Sequence, residues 1–218
     1  MVNIDRNRAV TGEIYHVFTK SIAGFRIFTL KEEFSRIKNL LRYYQHKHLP
    51  MKFSKFKELQ RSLDVKLEEI NKHEKIVDII AYCVMPTHIH LVLKQLTDNA
   101  ISIFMNNILN SYTRYFNVKH KRKGPLWEGR FKKVRVESDE QLMHLTRYLH
   151  LNPVTSKLVD LPEAWRMSSY SEYIDQGENA VSNFEKILDI IPEQYKEFVA
   201  DRIDYQRELK IISHILFE

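Results

Sequence analysis

Two strand-like runs stand almost back to back in the middle of the chain, residues 76–84 and 88–93, parted only by Met85-Pro86-Thr87. The first, Ile76 to Val84, is apolar nearly throughout and reads as a mostly buried strand. The second alternates. Side chains on a strand point to opposite faces with period two, so Ile89, Leu91 and Leu93 are expected to face a core while His88 and His90 project together from the other side. These neighbours are expected to form an antiparallel hairpin, although Met85-Pro86-Thr87 names no turn type. Any fold for the chain must pack one face of this unit against a core and set both histidines on the other.

The flanking segments restrict the choice further. Residues 13–20 are rich in β-branched and aromatic side chains and read as a first strand. Thr29 with Glu32 makes a capping-box signature for a helix whose apolar face is Phe34, Ile37, Leu40, Leu41 and Tyr44. Pro50 interrupts the chain. Phe53, Phe56, Leu63, Leu67 and Ile70 then suggest another amphipathic helix, inside an elaboration over residues 49–75. After the hairpin, Thr97 or Asp98 is expected to cap a helix with the stripe Ile101, Phe104, Ile108, Tyr112 and Tyr115. Residues 131–136 alternate and give a fourth strand. Ser138 with Gln141 is a second capping box, opening a helix with the stripe Leu142, Leu145 and Leu149 that Pro153 is expected to end. C-terminal helices are expected around 183–189 and 192–217. The order β-α-(insert)-β-β-α-β-α predicts an α+β chain with a ferredoxin-like split βαβ core, an antiparallel sheet with helices on one face, plus a later helix facing the histidines. The expected organisation is a catalytic domain over 1–170, carrying the insert at about 49–75, and a helical extension over 171–218.

Charge is informative once located. The whole chain carries +6, but residues 114–135 hold nine Lys or Arg against the single acid Glu128, so the remainder sums to −2. Arg114, Lys119, Lys121, Arg122, Lys123, Arg130, Lys132 and Lys133 are the candidate nucleic-acid contacts, because a local cationic excess suits a phosphate backbone. A solvated basic loop is the plainer reading of such a run. Tyr112, Tyr115, Phe116 and Trp127 interleave with the charges and supply the aromatic faces that base stacking needs, although core packing is the default role for Trp127. The lone Cys83 excludes an internal disulfide and suits a reducing, cytoplasmic setting. No signal-peptide run opens the sequence and no apolar run is long enough to span a bilayer, so no membrane role is expected.

Two imidazoles side by side on a strand could grip one metal ion. A His-hydrophobe-His triplet alone is weak, and nucleotide hydrolases of the histidine-triad type need a third histidine where Val92 stands. Tyr148 and Asn152, four residues apart near the end of a helix, share a face on the flank of its leucine stripe. Together the two stretches read as a metal clamp and a nucleophile.

With His88-Ile89-His90 after Met85-Pro86, then Trp127-Glu128-Gly129-Arg130-Phe131, then Tyr148-Leu149-His150-Leu151-Asn152-Pro153, the chain resembles the HUH-type single-strand DNA transposases that use one tyrosine, most closely the REP-associated tyrosine transposases. The resemblance covers roughly residues 10–170. It implies metal-assisted transesterification of single-stranded or hairpin DNA through a 5′-phosphotyrosine intermediate. Tyr148 would be the nucleophile, and His88, His90 and Asn152 the ligands of Mg²⁺ or Mn²⁺. Imidazole donors by themselves would favour a softer metal than Mg²⁺, an objection that phosphate oxygens in the shell would soften. The resemblance leaves open a monomer or a homodimer with the tyrosine acting on its partner's histidines. Arg147 stands evenly between phosphate contact and surface charge, His144 is better read as an exposed helix residue than as a proton carrier, and His150 has no assigned role. The rival from another class is a non-catalytic single-stranded nucleic-acid-binding module on the same fold. A third reading is a phosphoesterase that uses water in place of Tyr148.

Overall fold

The computed structural model describes residues 8–63, 74–175, 180–185 and 187–202. Four strands, β1 (Ile14–Lys20), β2 (Val77–Val84), β3 (His88–Gln95) and β4 (Lys132–Arg135), form one sheet in the order β2-β3-β1-β4, with every neighbouring pair antiparallel. This is the split βαβ order expected from the sequence. Helix α1 (Lys31–Tyr44) connects β1 toward β2, α2 (Phe53–Leu63) lies within the elaboration, and α3 (Ala100–Lys119) connects β3 to β4. Beyond the sheet come α4 (Asp139–Thr155), the short α5 (Tyr170–Asp175) and α6 (Pro192–Ala200).

The turn between β2 and β3 is two residues, Pro86 and Thr87, closed by Met85 N donating to His88 O at 2.8 Å. The segment after β1 clamps it. Ile27 N and Phe28 N donate to Pro86 O, and Ser21 N donates to Thr87 O at 2.8 Å. The first histidine therefore starts its strand from a fixed corner.

A bulge at Ile80 sets which side chains of β2 go where, since the β2–β3 register shifts between Ile79 and Ala81. Val77, Ile79, Tyr82 and Val84 enter one core with Ile89, Leu91 and Leu93, covered by α1 and α3. Ile80, Ala81 and Cys83 enter a second core with Val92, covered by α4, α5 and α6. The two core helices share one face; the tyrosine-bearing helix and the C-terminal helices take the other. Leu142, Leu145 and Leu149 seat α4 with at most 1% of their surface exposed. Each contributes roughly 1.5–3 kcal/mol by burial.

Several boundaries depart from the sequence reading. The α1 cap is one residue later than Thr29 with Glu32: Leu30 is the N-cap, and Glu33 accepts from Thr29 N and Leu30 N. Burial opposes charge on Glu33, but those two amides, with His120 and the Thr29 hydroxyl, outweigh it and hold its carboxyl below the usual value. Asn99, rather than Thr97 or Asp98, is the α3 N-cap, in left-handed backbone at φ 59°. Ser138 caps α4 as expected, accepting from Gln141 N. Pro153 does not end that helix. Its missing amide falls in the last turn, where losing one bond to Leu149 is tolerated, and the helix runs on to Thr155. No helix forms over the described part of 183–189, where Phe184 and Leu188 are instead buried in irregular chain. Leu67, Ile70 and residues 203–217 lie outside the described residues. The ends of the elaboration meet, with Lys47 N donating to Glu74 O at 2.7 Å.

His150 is the polar pin of the second core. Fully buried, it shares hydrogen bonds of 2.7 Å with the Tyr195 hydroxyl of α6 and the Ser169 hydroxyl. Burial pushes its pKa down to about 3, so the folded chain refuses a proton that the unfolded chain takes up below about 6.5. Stability from this group is complete above 6.5 and is lost as pH falls toward 3, at up to about 1.4 kcal/mol per pH unit. Thermal unfolding between pH 7 and 4 should show a steep fall in Tm for the wild type and a shallower one for His150→Gln. Parallel curves would refute the assignment.

Candidate active site

His88 opens β3 and His90 follows two residues on, so both leave the sheet on the face away from α1 and α3. Their ring centroids are 5.0 Å apart with the planes nearly perpendicular. Each Nδ1 is engaged: that of His88 with the Thr87 hydroxyl at 2.8 Å, that of His90 with His16 Nε2 at 3.0 Å. The nitrogen each ring can offer a metal is therefore Nε2, and that of His88 is buried without a hydrogen-bond partner among the described residues. Burial first, then the Lys20 charge, push the His88 pKa down to about 4. Burial also lowers His90, reinforced by His16, His88 and Lys20. Both rings are thus neutral at neutral pH, the state that binds metals. Among the described residues no cluster of three or more His, Cys, Asp or Glu could hold a metal. The donor set is therefore two imidazoles plus whatever an amide or a ligand adds, which fits a divalent ion shared with phosphate oxygens.

Three residues absent from the sequence reading complete this face, and all come from β1. Lys20 sits directly across from His88, and Phe18 across from His90. His16 is fully buried and its ring stacks on His90 with centroids 5.2 Å apart. A neutral imidazole has one donor and one acceptor nitrogen. If His90 gives its Nε2 lone pair to a metal, its Nδ1 carries the proton and His16 Nε2 accepts it. Partners of this kind orient a ligating ring and are worth about 10–100-fold in metal affinity. His16→Phe keeps the stack and removes the acceptor, so Mn²⁺ affinity measured without DNA should fall by about that factor, with partial rescue in His16→Gln. Unchanged affinity in both variants would refute an orienting role. The period-two set His16, Phe18, Lys20 was visible in the sequence; its pairing with β3 was not.

Tyr148 is half-buried on α4, its ring edge-on to His90 with centroids 6.0 Å apart. Asn152, one helical turn on, is 6% exposed, and its Oδ1 accepts from the Ser156 hydroxyl at 3.3 Å. The nucleophile candidate and the clamp thus meet within one chain. Arg147 corrects the sequence reading. It is 3% exposed, its guanidinium lies 3.8 Å from the Phe198 ring centroid, and it donates to Phe198 O and His144 Nδ1. One residue before Tyr148 is about 100° around the helix, which turns Arg147 into the packing against α6 rather than toward a DNA face.

The basic segment divides between two faces. Residues opposite each other in an antiparallel pair share a side. Lys132 stands across from Phe18, on the His90 side, and Lys133 across from Val17, on the helix side. Lys121, Lys123 and Arg130 are exposed around the α3–β4 connection. Arg122 braces that loop, donating to Asn117 Oδ1 and Pro125 O. Arg114 and Lys119 line a cleft beside α3, where Lys119 faces Glu32 and Glu33 at 3.7 Å. Trp127 is a core residue, its indole N–H directed at Leu109 O and the Thr113 hydroxyl. No helix among the described residues is long and apolar enough to cross a membrane.

The chain is similar in sequence and in fold to known transposases. The family model described as Transposase IS200 like matches residues 51–152. A relative from Haemophilus influenzae, named as a REP-associated tyrosine transposase, is 25% identical over 43% of this chain and 58% of its own length, so the match spans less than two thirds of that relative. A solved structure of a REP-associated tyrosine transposase bound to a REP hairpin shares the fold, with a TM-score of 0.52 at 14% identity, covering 84% of this chain and 91% of that one.

Proposed function

We propose that this chain, whose residues 51–152 match the family model described as Transposase IS200 like, binds single-stranded or hairpin DNA and cuts and rejoins it through Tyr148. The observation that carries the reading is the meeting of Tyr148 with His90, rings 6.0 Å apart, on a sheet face that also holds His88 and Lys20. It supports action within one subunit.

His88, His90 and Asn152 would hold a divalent ion, Mg²⁺ or Mn²⁺, which when bound polarises the scissile phosphate and stabilises the charge gathering on its oxygens. The chain's own residues do the rest. His16 fixes which nitrogen of His90 carries a proton. Lys20 and Lys132, on the same face, add positive charge for a phosphate. The leucine stripe of α4 positions the Tyr148 ring, and α6, through Tyr195 and Phe198, braces that helix from behind. The Tyr148 oxygen attacks phosphorus. The new oxygen–phosphorus bond replaces the bond to the 3′ oxygen, which leaves with its electron pair and takes up a proton as the phenol gives one up. A 5′-phosphotyrosine and a free 3′-OH result, and a second 3′-OH can reverse the exchange without ATP. In this reading residues 1–170 are the catalytic domain and 171–218 a C-terminal extension whose helix α6 supports the tyrosine helix.

The test is incubation with end-labelled hairpin DNA and Mn²⁺ followed by denaturing electrophoresis. A labelled adduct that survives denaturation supports the proposal. A gel shift with intact DNA would indicate a binding module, and cleavage without an adduct would indicate a nuclease that uses water.

A further inference from the structure

The face of the sheet opposite Tyr148 carries a second concave surface. Helices α1, α2 and α3 enclose a cleft of about 1180 Å³ lined by six Lys or Arg and two Glu. Along α3, Asn107, Asn110, Ser111 and Arg114 face it at helical spacing, a row of amides and a hydroxyl ending in a cation. Asn107, Asn110 and Arg114 are exposed. Arg36 of α1 anchors the opposite side. Its guanidinium lies 4.5 Å from the Phe53 ring centroid and 5.1 Å from that of Tyr115, clamped between the elaboration and α3, and its buried Nε has no hydrogen-bond partner among the described residues.

We infer that this cleft binds an unpaired stretch of nucleic-acid strand outside the scissile position, an inference that rests on the transposase reading and extends it to a second site. The cations suit phosphates, and guanidinium geometry suits them best. The amides say more than the charge does. The carboxylates of an acidic peptide need only donors, whereas Asn107 and Asn110 each offer a donor and an acceptor, the combination that unpaired base edges present. The volume exceeds the roughly 300–1,000 Å³ of ordinary small-molecule pockets, consistent with a few nucleotides. A duplex keeps its base edges inside grooves and would straddle the cleft rather than enter it. Lys119, Lys121, Lys123 and the edge strand β4, with Lys133 toward the helices and Lys132 toward the histidines, link the two faces with positive charge. A strand held here would tether the DNA while another part of it reaches Tyr148.

The test uses the full chain, a fluorescein-labelled unpaired 15-nucleotide DNA, and buffer without divalent metal. Asn107→Asp with Asn110→Asp replaces two exposed amides by near-isosteric acids and leaves the core untouched. Fluorescence anisotropy should show binding at least about tenfold weaker, with a salt dependence flattened by roughly 0.7 for each phosphate no longer neutralised. Arg36→Lys keeps the charge and loses the fork, and should weaken binding in the same direction. Affinity within twofold of wild type in both variants would overturn the site. Displacement of the DNA from wild type by polyglutamate at equal charge concentration would overturn the nucleic-acid assignment in favour of an acidic polypeptide. The adduct assay at saturating hairpin separates this from the catalytic reading: weakened binding in the variant beside no adduct in wild type keeps the cleft and removes the chemistry.

Discussion

Tyr148→Phe should abolish the denaturation-resistant DNA adduct while leaving hairpin binding within about twofold of wild type. The substitution removes one oxygen from a ring that packs against the second core and lies edge-on to His90, 6.0 Å between centroids. Phenylalanine keeps that packing, so neither the fold nor the positively charged surfaces have reason to change. A phenol titrates near 10 in water, so at neutral pH the nucleophile is a largely protonated group that depends on its surroundings for activation. Deleting a covalent nucleophile typically costs at least about 10⁴-fold in rate. The expected result is therefore no adduct on the timescale on which the wild type saturates. Residual strand cutting without an adduct in the variant would mean that water can replace the phenol, and Tyr148 would lose its role as nucleophile. Wild-type adduct formation that survives in Tyr148→Phe would place the link on another residue.

Much of this arrangement was readable from local patterns. The alternation in His88-Ile89-His90-Leu91 put the histidines opposite a core, and the capping residue Ser138 with the leucine spacing of α4 put Tyr148 and Asn152 on the flank of a buried stripe. What escaped was set by long-range pairing or by rotation about a helix. Residues 76–84 are apolar at almost every position, so nothing in them announces that a bulge at Ile80 sends Ile79 and Ala81 to different cores. His16 and Lys20 belong to the site only because β1 pairs with β3, a pairing that spans most of the first half of the chain. Arg147 looked like a candidate phosphate contact through its position beside Tyr148, yet one step along a helix is about 100° of rotation, enough to bury it against Phe198. His150 is similar: its partners Tyr195 of α6 and Ser169 just before α5 are brought to it by tertiary packing that no local pattern announces. The basic run was found as a run, but the sheet edge divides it, and only the pairing of β4 with β1 separates Lys132 from Lys133.

Removing the clamp should separate binding from cutting. His88→Ala is the cleaner variant, because His88 is half-buried at a strand end, whereas His90 is fully buried between His16 and Phe18 and its truncation would open a cavity. Among the described residues the ring at position 88 makes one hydrogen bond, to the Thr87 hydroxyl beside it, so its loss costs the sheet little. It does remove one of the two imidazoles proposed as ligands, and a bound cation is worth several kcal/mol to a phosphoryl-transfer transition state, at least about 10³ in rate. Adduct formation should drop by that factor and Mn²⁺ affinity should fall with it. Hairpin affinity measured without metal should stay within about threefold, because the charges that attract DNA sit elsewhere: Lys20 and Lys132 beside the site, Lys121, Lys123 and Arg130 around the loop, Arg36 and Arg114 in the cleft. Neutralising Lys121 and Lys123 should do the reverse, weakening binding and flattening its salt dependence while adducts still form at saturating DNA. If His88→Ala cut DNA at the wild-type rate at ordinary metal concentrations, the imidazole pair would not be the metal clamp, and its neutral, desolvated rings would need another explanation.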